Sequence, residues 1–560
     1  MKNFSSVLLE HYANQGDKVI LYFQSIGKED LPITYKSLLE NSYCYTKEYI
    51  KNGIKPGDII ILVLQHSLEL IYAYYGAILA GAIPSIMPFL TEKLLPEKYQ
   101  QDFQSLVKII QPESIITYQE FKQGVFDQFS QQLPVHSMLL CEEIALEGEP
   151  LPAGLPGLTR DSQDIVLLQH SSGTTGLQKG VALTHQAVFQ QLEHYSKAIH
   201  LAPQKDVIVS WLPLYHDMGL IACFLMPILC GVPLVMMSPF DWVKAPYRLF
   251  TSISNYHGTL CWLPNFAYNF CAKKIRDSQL EEVDLSSLRA VINCSEPVRY
   301  ESHQAFLQKY RPFGFKASAL AASYAMAENV FAVTQGGVDF PLVEDHIDRD
   351  DFQMHKKATP VTPGAAGVIM LSTGRPIESV AVQVIDEQGK LLGERQIGEV
   401  IIQSDCLFTG YYNRPDITEK SVLNGWFKTG DYGYLAEGEV YITGRKKDLI
   451  IVGGKNIYPQ DLEAIAMEVE GVHPGRVVAF GIFNESSGTE DVVIVAEANK
   501  GAEDKEEIGN AIKEKVTRNS AIALRHVLVV DEKWLIKTSS GKIARSANKE
   551  KYLAQLHLPN

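Results

Sequence analysis

Two stretches of the chain, Leu70–Leu90 and Leu220–Phe240, carry no charged residue. Each is long enough to cross a bilayer, for which about 20 residues suffice. Yet the first contains Gly76, Gly81, Pro84 and Pro88, and the second contains Pro227, Gly231, Pro233 and Pro239. Such interruptions read as a buried helix, a glycine turn and a buried strand, and not as a membrane span. Strands that stay apolar without alternating belong to parallel sheets covered on both faces. The chain is therefore restricted to an α/β architecture around buried parallel strands.

The remaining pattern agrees. Strand-like runs at Ile59–Leu64, Ile165–Gln169 and Val207–Trp211 alternate with helix-like segments at Leu68–Ala80 and His185–Ile199. The Pro/Gly-rich segment Glu147–Leu158 reads as a surface linker. From about residue 380 short strands come close together, at Ala381–Asp386, Glu399–Ser404 and Glu439–Gly444, and predict a β-rich subdomain. A compact α+β pattern follows Gly444-Arg445-Lys446-Lys447-Asp448. Two bodies are expected: a large one over 1–446, made of α/β subdomains plus the β-rich one, and a small one over 447–560.

Composition excludes some partners. The 560 residues have a net charge of −14, which argues against nucleic acid, because phosphate binding wants a basic face. None of the eight cysteines forms a C-x-x-C pair, so neither zinc-ribbon spacing nor a redox motif is present. Several lie in apolar runs and read as buried free thiols of a reducing, cytoplasmic compartment. The N-terminus lacks the uninterrupted apolar core of a signal peptide.

The first chemical motif is Ser171-Ser172-Gly173-Thr174-Thr175-Gly176-Leu177-Gln178-Lys179-Gly180. Glycines and small hydroxyl residues let backbone N–H groups approach a polyphosphate, and Lys179 adds a mobile charge. The spacing is not that of a Walker A loop. Taken alone, the segment reads equally as a flexible Ser/Thr/Gly loop. Five further segments follow in order: Trp211-Leu212-Pro213-Leu214-Tyr215-His216-Asp217-Met218-Gly219, Ser295-Glu296-Pro297-Val298, Ser323-Tyr324-Ala325-Met326-Ala327-Glu328, Thr429-Gly430-Asp431, and Gly444-Arg445 through Ser540-Gly541-Lys542-Ile543.

Together these segments resemble the signatures of the adenylate-forming superfamily, which holds acyl-CoA synthetases, adenylation domains and luciferases. Within it the chain is most similar to fatty acyl-AMP ligases, through Trp211–Leu220, Glu296-Pro297-Val298-Arg299, Tyr324–Glu328 and Asn456–Glu463. A further likeness is an insertion within Val338–Pro363. In such ligases an insertion here accompanies failure to use coenzyme A; the plainer reading is a surface loop.

The resemblance implies ATP-dependent activation of a fatty acid to acyl-AMP, with Mg²⁺, then acyl transfer to the phosphopantetheine of an acyl carrier protein. It implies that Ser171–Gly176 and Lys179 hold phosphates and that Glu328 holds Mg²⁺. Tyr324 would stack on adenine, with Ser295, Glu296, Pro297, Ser323, Ala325 and Met326 lining the nucleotide site. Asp431 would anchor the ribose, Arg445 would add a contact beside it, and Lys542 would bridge the carboxylate and the α-phosphate. Lys447 would be the hinge. His216 either lines the acyl pocket or is a packed core histidine.

Two departures stand out: Gln178 replaces a proline, and Ala325 replaces a glycine, which would be strained at positive φ. An acidic carrier would need a local basic patch, and Lys533, Lys537, Lys542, Arg545, Lys549 and Lys551 are candidates. Acyl-CoA or aryl-CoA synthesis is the alternative activity. A catalytically silent adenylate-binding protein would require loss of Lys542, Glu328 or Asp431, and all three are present.

Overall fold

The structure is a computed structural model. It describes residues 2–556 except 91–95, 129–134, 172–178, 366, 454, 486–488, 503, 521, 523 and 539–540. A nine-stranded sheet forms its centre. Strands Val19–Gln24, Leu234–Met237, Ile208–Ser210, Leu260–Leu263, Ala290–Asn293 and Leu320–Ala325 lie side by side in that order, all parallel. Antiparallel strands close both edges: Leu31–Thr34 on one, and Ala332–Gly336 followed by Arg375–Pro376 on the other. A second sheet, with strands Ile83–Ile86, Ile59–Leu62, Ser114–Thr117 and Ser137–Leu140, is parallel throughout.

The two uncharged stretches behave as their sequence predicts. Leu68–Leu79 is a buried helix, Gly81 turns at φ +75°, and Ile83–Ile86 is a buried strand. Met226–Cys230, Gly231 and Leu234–Met237 repeat the arrangement. Ahead of that helix, Met218–Leu225 forms a buried π-helix, which no periodicity announced. Among the described residues no helix is long and apolar enough to cross a membrane. The 147–158 segment is not all surface: Leu155 is buried, and Gly157 lies against Ser5 and the carbonyls of Ile78 and Leu79.

The β-rich subdomain is a sheet built on Ala381–Ile385, Gly398–Gln403, Trp426–Ala436 and Glu439–Arg445. Beyond Asp448 the sheet Val472–Asn484, Thr489–Ala498, His526–Val530 packs against helices Pro459–Met467, Lys505–Ser520 and Arg545–Leu556. Two of its apolar clusters are built from residues 450 onward, while Tyr458 packs into a cluster with Ile347, Phe352 and Tyr434 of the large body. All eight cysteines are free thiols, and Cys44, Cys223, Cys261, Cys271, Cys294 and Cys406 are buried.

In open α/β sheets, ligands collect outside the carboxyl ends of the strands. Three of the motifs lie there, after Ser210, Asn293 and Ala325. Gly219 brings the first of them close: a Cβ at this position would sit 2.2 Å from the Pro213 carbonyl oxygen. Gly219→Ala should therefore push the π-helix off the Trp211–Pro213 turn. The expected loss of unfolding free energy is about 1–3 kcal/mol, measured by denaturant unfolding; an unchanged midpoint would contradict this packing.

Candidate functional site

Lys542 lies opposite Thr538, next to Gly541. Gly541 has φ +84°, Gly541 N–H donates to Thr538 O at 2.8 Å, and Thr538 N–H donates to Lys542 O at 2.7 Å. The Lys542 ammonium crosses to the large body and donates to the Ser295 carbonyl at 2.6 Å. Ser295 itself is in the left-handed region, at φ +69°. Such a residue costs about 1–3 kcal/mol and persists only where its surroundings enforce it. Burial lowers the Lys542 pKa, opposed by the charges of Glu296 and Asp217.

Tyr324 and Asp431 meet directly. The Tyr324 hydroxyl donates to Asp431 Oδ2 at 2.6 Å, and Arg445 Nε lies 3.8 Å from Oδ1. Asp431 and Arg445 are cross-strand partners, which fixes this approach. Burial pushes the Asp431 carboxyl up, while Arg445 and Tyr324 pull it down. A carboxylate has about four lone-pair sites, so Tyr324 leaves room for further donors.

Glu328 follows the end of the central strand. Its Oε1 accepts from the Tyr411 hydroxyl at 2.7 Å, and the Lys179 ammonium lies 4.6 Å from the centre of the Tyr411 ring. Burial raises the Glu328 carboxyl, with the charge of Asp217 adding to it. Asp217 is itself pushed up by burial. Two enclosed carboxylates offer the oxygen ligands that a hard divalent cation such as Mg²⁺ takes. Two residues on, Val330 has φ 60° and ψ −53°, and Phe331 N–H donates to Asn329 O at 2.6 Å. This is a γ-turn of positive φ, strained for a β-branched residue and fully buried.

The other predicted residues take varied places. Glu296 Oε2 accepts from Phe266 N–H at 2.8 Å, and Pro297 is exposed. The Ser323 hydroxyl donates to Thr334 O within the sheet and is buried. Ala325 ends its strand opposite Ala332 and is not at positive φ, so the strain raised for it does not arise. Met326 N–H donates to Phe331 O at 2.8 Å. His216 has its pKa pushed down to about 3 by burial, with the Lys542 charge adding to it, and stays neutral. Its Nε2 is buried and has no hydrogen-bond partner among the described residues. Ser171 ends one strand of a hairpin and Lys179 opens the other; Ser172, Gly173, Thr174, Thr175 and Gly176, with Gln178, lie outside the described residues.

Lys447 lies in the turn between the bodies, and burial together with the Arg445 charge lowers its pKa to about 8. Contacts on either side of it join the two parts. Arg299 NH2 lies 3.0 Å from Asp461 Oδ1, Phe352 stacks on Tyr458 at 5.1 Å, and Asn456 Nδ2 donates to Gln353 O at 3.2 Å. Phe352 and Gln353 belong to the inserted segment, which forms strand Glu344–Ile347 and helix Arg349–Met354.

Three of the six residues of the basic patch are engaged elsewhere. Arg545 is enclosed between Asp448 at 2.6 Å and Glu463 at 2.7 Å, and also donates to Ala479 O. Lys542 is turned into the large body, and Lys551 donates to Trp534 O while lying over its ring. Sequence reasoning assigned no role to Tyr411, Val330 or the Arg299–Asp461 pair. Asp217, Arg299 and Asp461 lie inside quoted motifs, whereas Tyr411 and Val330 lie outside them.

A model of the family described as AMP-binding enzyme matches residues 8–412. The chain belongs to this family of AMP-binding enzymes, and its fold is that of adenylate-forming ligases. A solved structure from a study of fatty acyl-adenylate ligases of E. coli and L. pneumophila matches with a TM-score of 0.88 at 26% identity, covering 99% of this chain and 98% of that one. The long-chain fatty acid–AMP ligase FadD32 of Mycolicibacterium smegmatis is 30% identical over 551 residues, covering 89% of this chain and 85% of that protein. The medium-chain fatty acid–acyl-carrier-protein ligase JamA of Moorena producens is 28% identical over 572 residues, covering 97% and 93%. Several mycobacterial relatives carry provisional names as fatty acid–CoA ligases.

Lys542→Ala should lower adenylation by about 10²–10³-fold, the range for removing one donor aimed at developing charge. ATP affinity should change by less than about threefold, because the phosphates keep other contacts. Asp431→Ala should show the opposite pattern, with weakened ATP binding. Isothermal titration beside pyrophosphate release separates the two; equal losses of binding and rate in Lys542→Ala would make it a binding residue.

Proposed function

We propose that the chain activates a fatty acid to acyl-AMP and passes the acyl group to the phosphopantetheine thiol of an acyl carrier protein. The observation that carries the first half is the Lys542 ammonium lying at the Ser295 carbonyl, in the cleft shared with Asp431, Tyr324 and Glu328. A fatty acid carboxylate oxygen attacks the α-phosphorus of ATP, the bond to the β,γ-phosphates breaks, and pyrophosphate leaves. Two anions must meet, so positioning and charge neutralisation dominate over acid–base chemistry. Lys542 supplies the cation between them. Asp431 accepts from the ribose hydroxyls, Tyr324 orients Asp431 and faces the base, and Lys179 with its loop holds the terminal phosphates. Ser295, Glu296, Pro297, Ser323, Ala325 and Met326 form the nucleotide wall through their backbone. Mg²⁺ at Glu328 would neutralise phosphate oxygens. His216, neutral and with Nε2 unpartnered, lines the acyl side.

The second half rests on the insertion. Transfer to a free thiol requires the small domain, 447–560, to turn about Lys447 and bring Ile451–Pro459 to the site. Phe352 and Gln353 hold Tyr458 and Asn456 from the large body, which favours the adenylating pose. A carrier protein can offset that holding energy with its own contacts, whereas coenzyme A brings little beyond the pantetheine.

The test supplies a fatty acid panel and ATP, traps acyl-AMP with hydroxylamine, and compares coenzyme A with a holo carrier protein. Acyl-AMP formation with transfer to the carrier alone is expected. Efficient acyl-CoA formation would establish the CoA-ligase reading of the mycobacterial relatives instead. Deleting the insertion is a poor probe, because Ile347 and Phe352 are buried and Asp345 pairs with Arg395 at 2.9 Å. Phe352→Ala combined with Asn456→Ala should instead release the small domain and permit some CoA use. Unchanged CoA rejection in a folded variant would remove this mechanism. Arg299→Asp and Asp461→Arg should each shift the balance between adenylation and transfer, and the double exchange should restore it.

A further inference from the structure

Behind the Glu328 loop lies a cluster that the activation chemistry does not use. Helix His185–Ala198 carries His194, and the segment after strand Gly398–Gln403 carries Asp405 and Cys406. His194 Nε2 is 3.2 Å from Asp405 Oδ2, and Cys406 Sγ is 3.3 Å from Asp405 Oδ1. One ligand atom from each residue lies within 4.8 Å of the others. In a tetrahedral zinc site, with bonds of about 2.0–2.3 Å, neighbouring donors stand about 3.3–3.8 Å apart. The two short approaches use different Asp405 oxygens, so side-chain rotation has to draw the three donors in from as much as 4.8 Å.

The chemistry is selective. Imidazole and thiolate prefer zinc and its first-row neighbours to magnesium or calcium. One thiolate and one carboxylate neutralise a dication. Glu378 Oε2 lies 3.5 Å from His194 Nδ1 without a hydrogen bond between them, and Lys197 holds Glu378 at 2.8 Å; a small shift would make Glu378 the outer partner that metal-bound histidines use. Beside Asp405, Nε2 carries the proton and donates to Oδ2; ion binding moves that proton to Nδ1, toward Glu378, and frees the Nε2 lone pair. His194 and Cys406 are buried, while Asp405 is exposed, which leaves solvent access for a fourth ligand.

We propose that His194, Asp405 and Cys406 bind one thiophilic divalent cation, with zinc as its type, in an open three-ligand site. Binding replaces the Cys406 thiol proton, which leaves to solvent, and water completes the coordination. The site joins the same two elements that brace the Glu328 segment. Gln191, one turn before His194, accepts from Phe331 N–H at 3.2 Å, and Phe408 N–H donates to Glu328 O at 2.9 Å. An ion here fixes the helix to the 404–411 segment and so stiffens the backing of Glu328.

The test titrates reduced, metal-free, full-length protein with Co²⁺ alone, without nucleotide. One equivalent should bind, giving a near-ultraviolet thiolate-to-cobalt band and tetrahedral visible absorption, both abolished by zinc. Cys406→Ser should remove the near-ultraviolet band. His194→Gln, Asp405→Asn and Glu378→Gln should each weaken binding by about tenfold or more. Zinc should raise the unfolding temperature of the wild type and not of His194→Gln. Absence of saturable one-to-one binding would overturn the proposal, as would a band that persists in Cys406→Ser or affinity unchanged in His194→Gln. If Cys406→Ser fails to fold, the His194 and Asp405 variants decide the matter.

Discussion

One ammonium group organises this site. Lys542 leaves the small domain, enters a cleft of the large body, and ends on the carbonyl of Ser295. Among the described residues no carboxylate pairs with it, and burial depresses its pKa. Holding it in place falls to the contacts around the domain junction. Their magnitudes differ. Arg299 and Asp461 keep 25% and 47% of their side chains exposed, and a pair of that kind contributes at most about 1 kcal/mol. Burying a ring such as Phe352 contributes about 1.5–3 kcal/mol. Part of that burial comes from Phe352's own body, through Ile347 and Ala358, and the share covered by Tyr458 adds to the ion pair in holding the junction.

Two of the residues at positive φ belong to the same cleft. Ser295 and Val330 both hold positive φ, and each lies next to a charged group assigned to catalysis or to the metal. A left-handed Ser295 turns its carbonyl toward Lys542. The turn at Val330 lets Glu328 leave the strand and face Tyr411. Neither conformation is intrinsically favourable. Both are held by buried neighbours, Cys294 beside the first and Phe331 beside the second.

Much of this was readable from residue types alone. Glycine and proline inside Leu70–Leu90 and Leu220–Phe240 separated helix from strand, because those residues break regular hydrogen bonding whatever surrounds them. The motifs at Asp431 and Lys542 were readable through their resemblance to the adenylate-forming signatures; a turn glycine beside a charge, Gly430 or Gly541, would not have marked them alone. What was not readable depends on partners distant in sequence. Arg545 looks like a surface cation in the tail, yet it is enclosed because Asp448 and Glu463 fold around it. Tyr411 carries no local sign of its bond to Glu328. The π-helix at Met218–Leu225 escapes notice because a segment buried on all sides has no apolar face to reveal its period.

The position of the first strand has a consequence for biosynthesis. Val19–Gln24 lies beside Leu234–Met237, so Leu21 finds its parallel partner only when Leu234 has emerged. Until then its only sheet neighbour is Leu31–Thr34, and an isolated two-stranded ribbon is marginal in water. The nascent chain thus carries an unsatisfied apolar edge through the synthesis of the whole second sheet. At about 5–20 residues per second this lasts on the order of 10–40 s. Assembly of the central sheet is then limited by elongation, and the exposed Val19–Gln24 edge is where a ribosome-associated chaperone would have the most to cover.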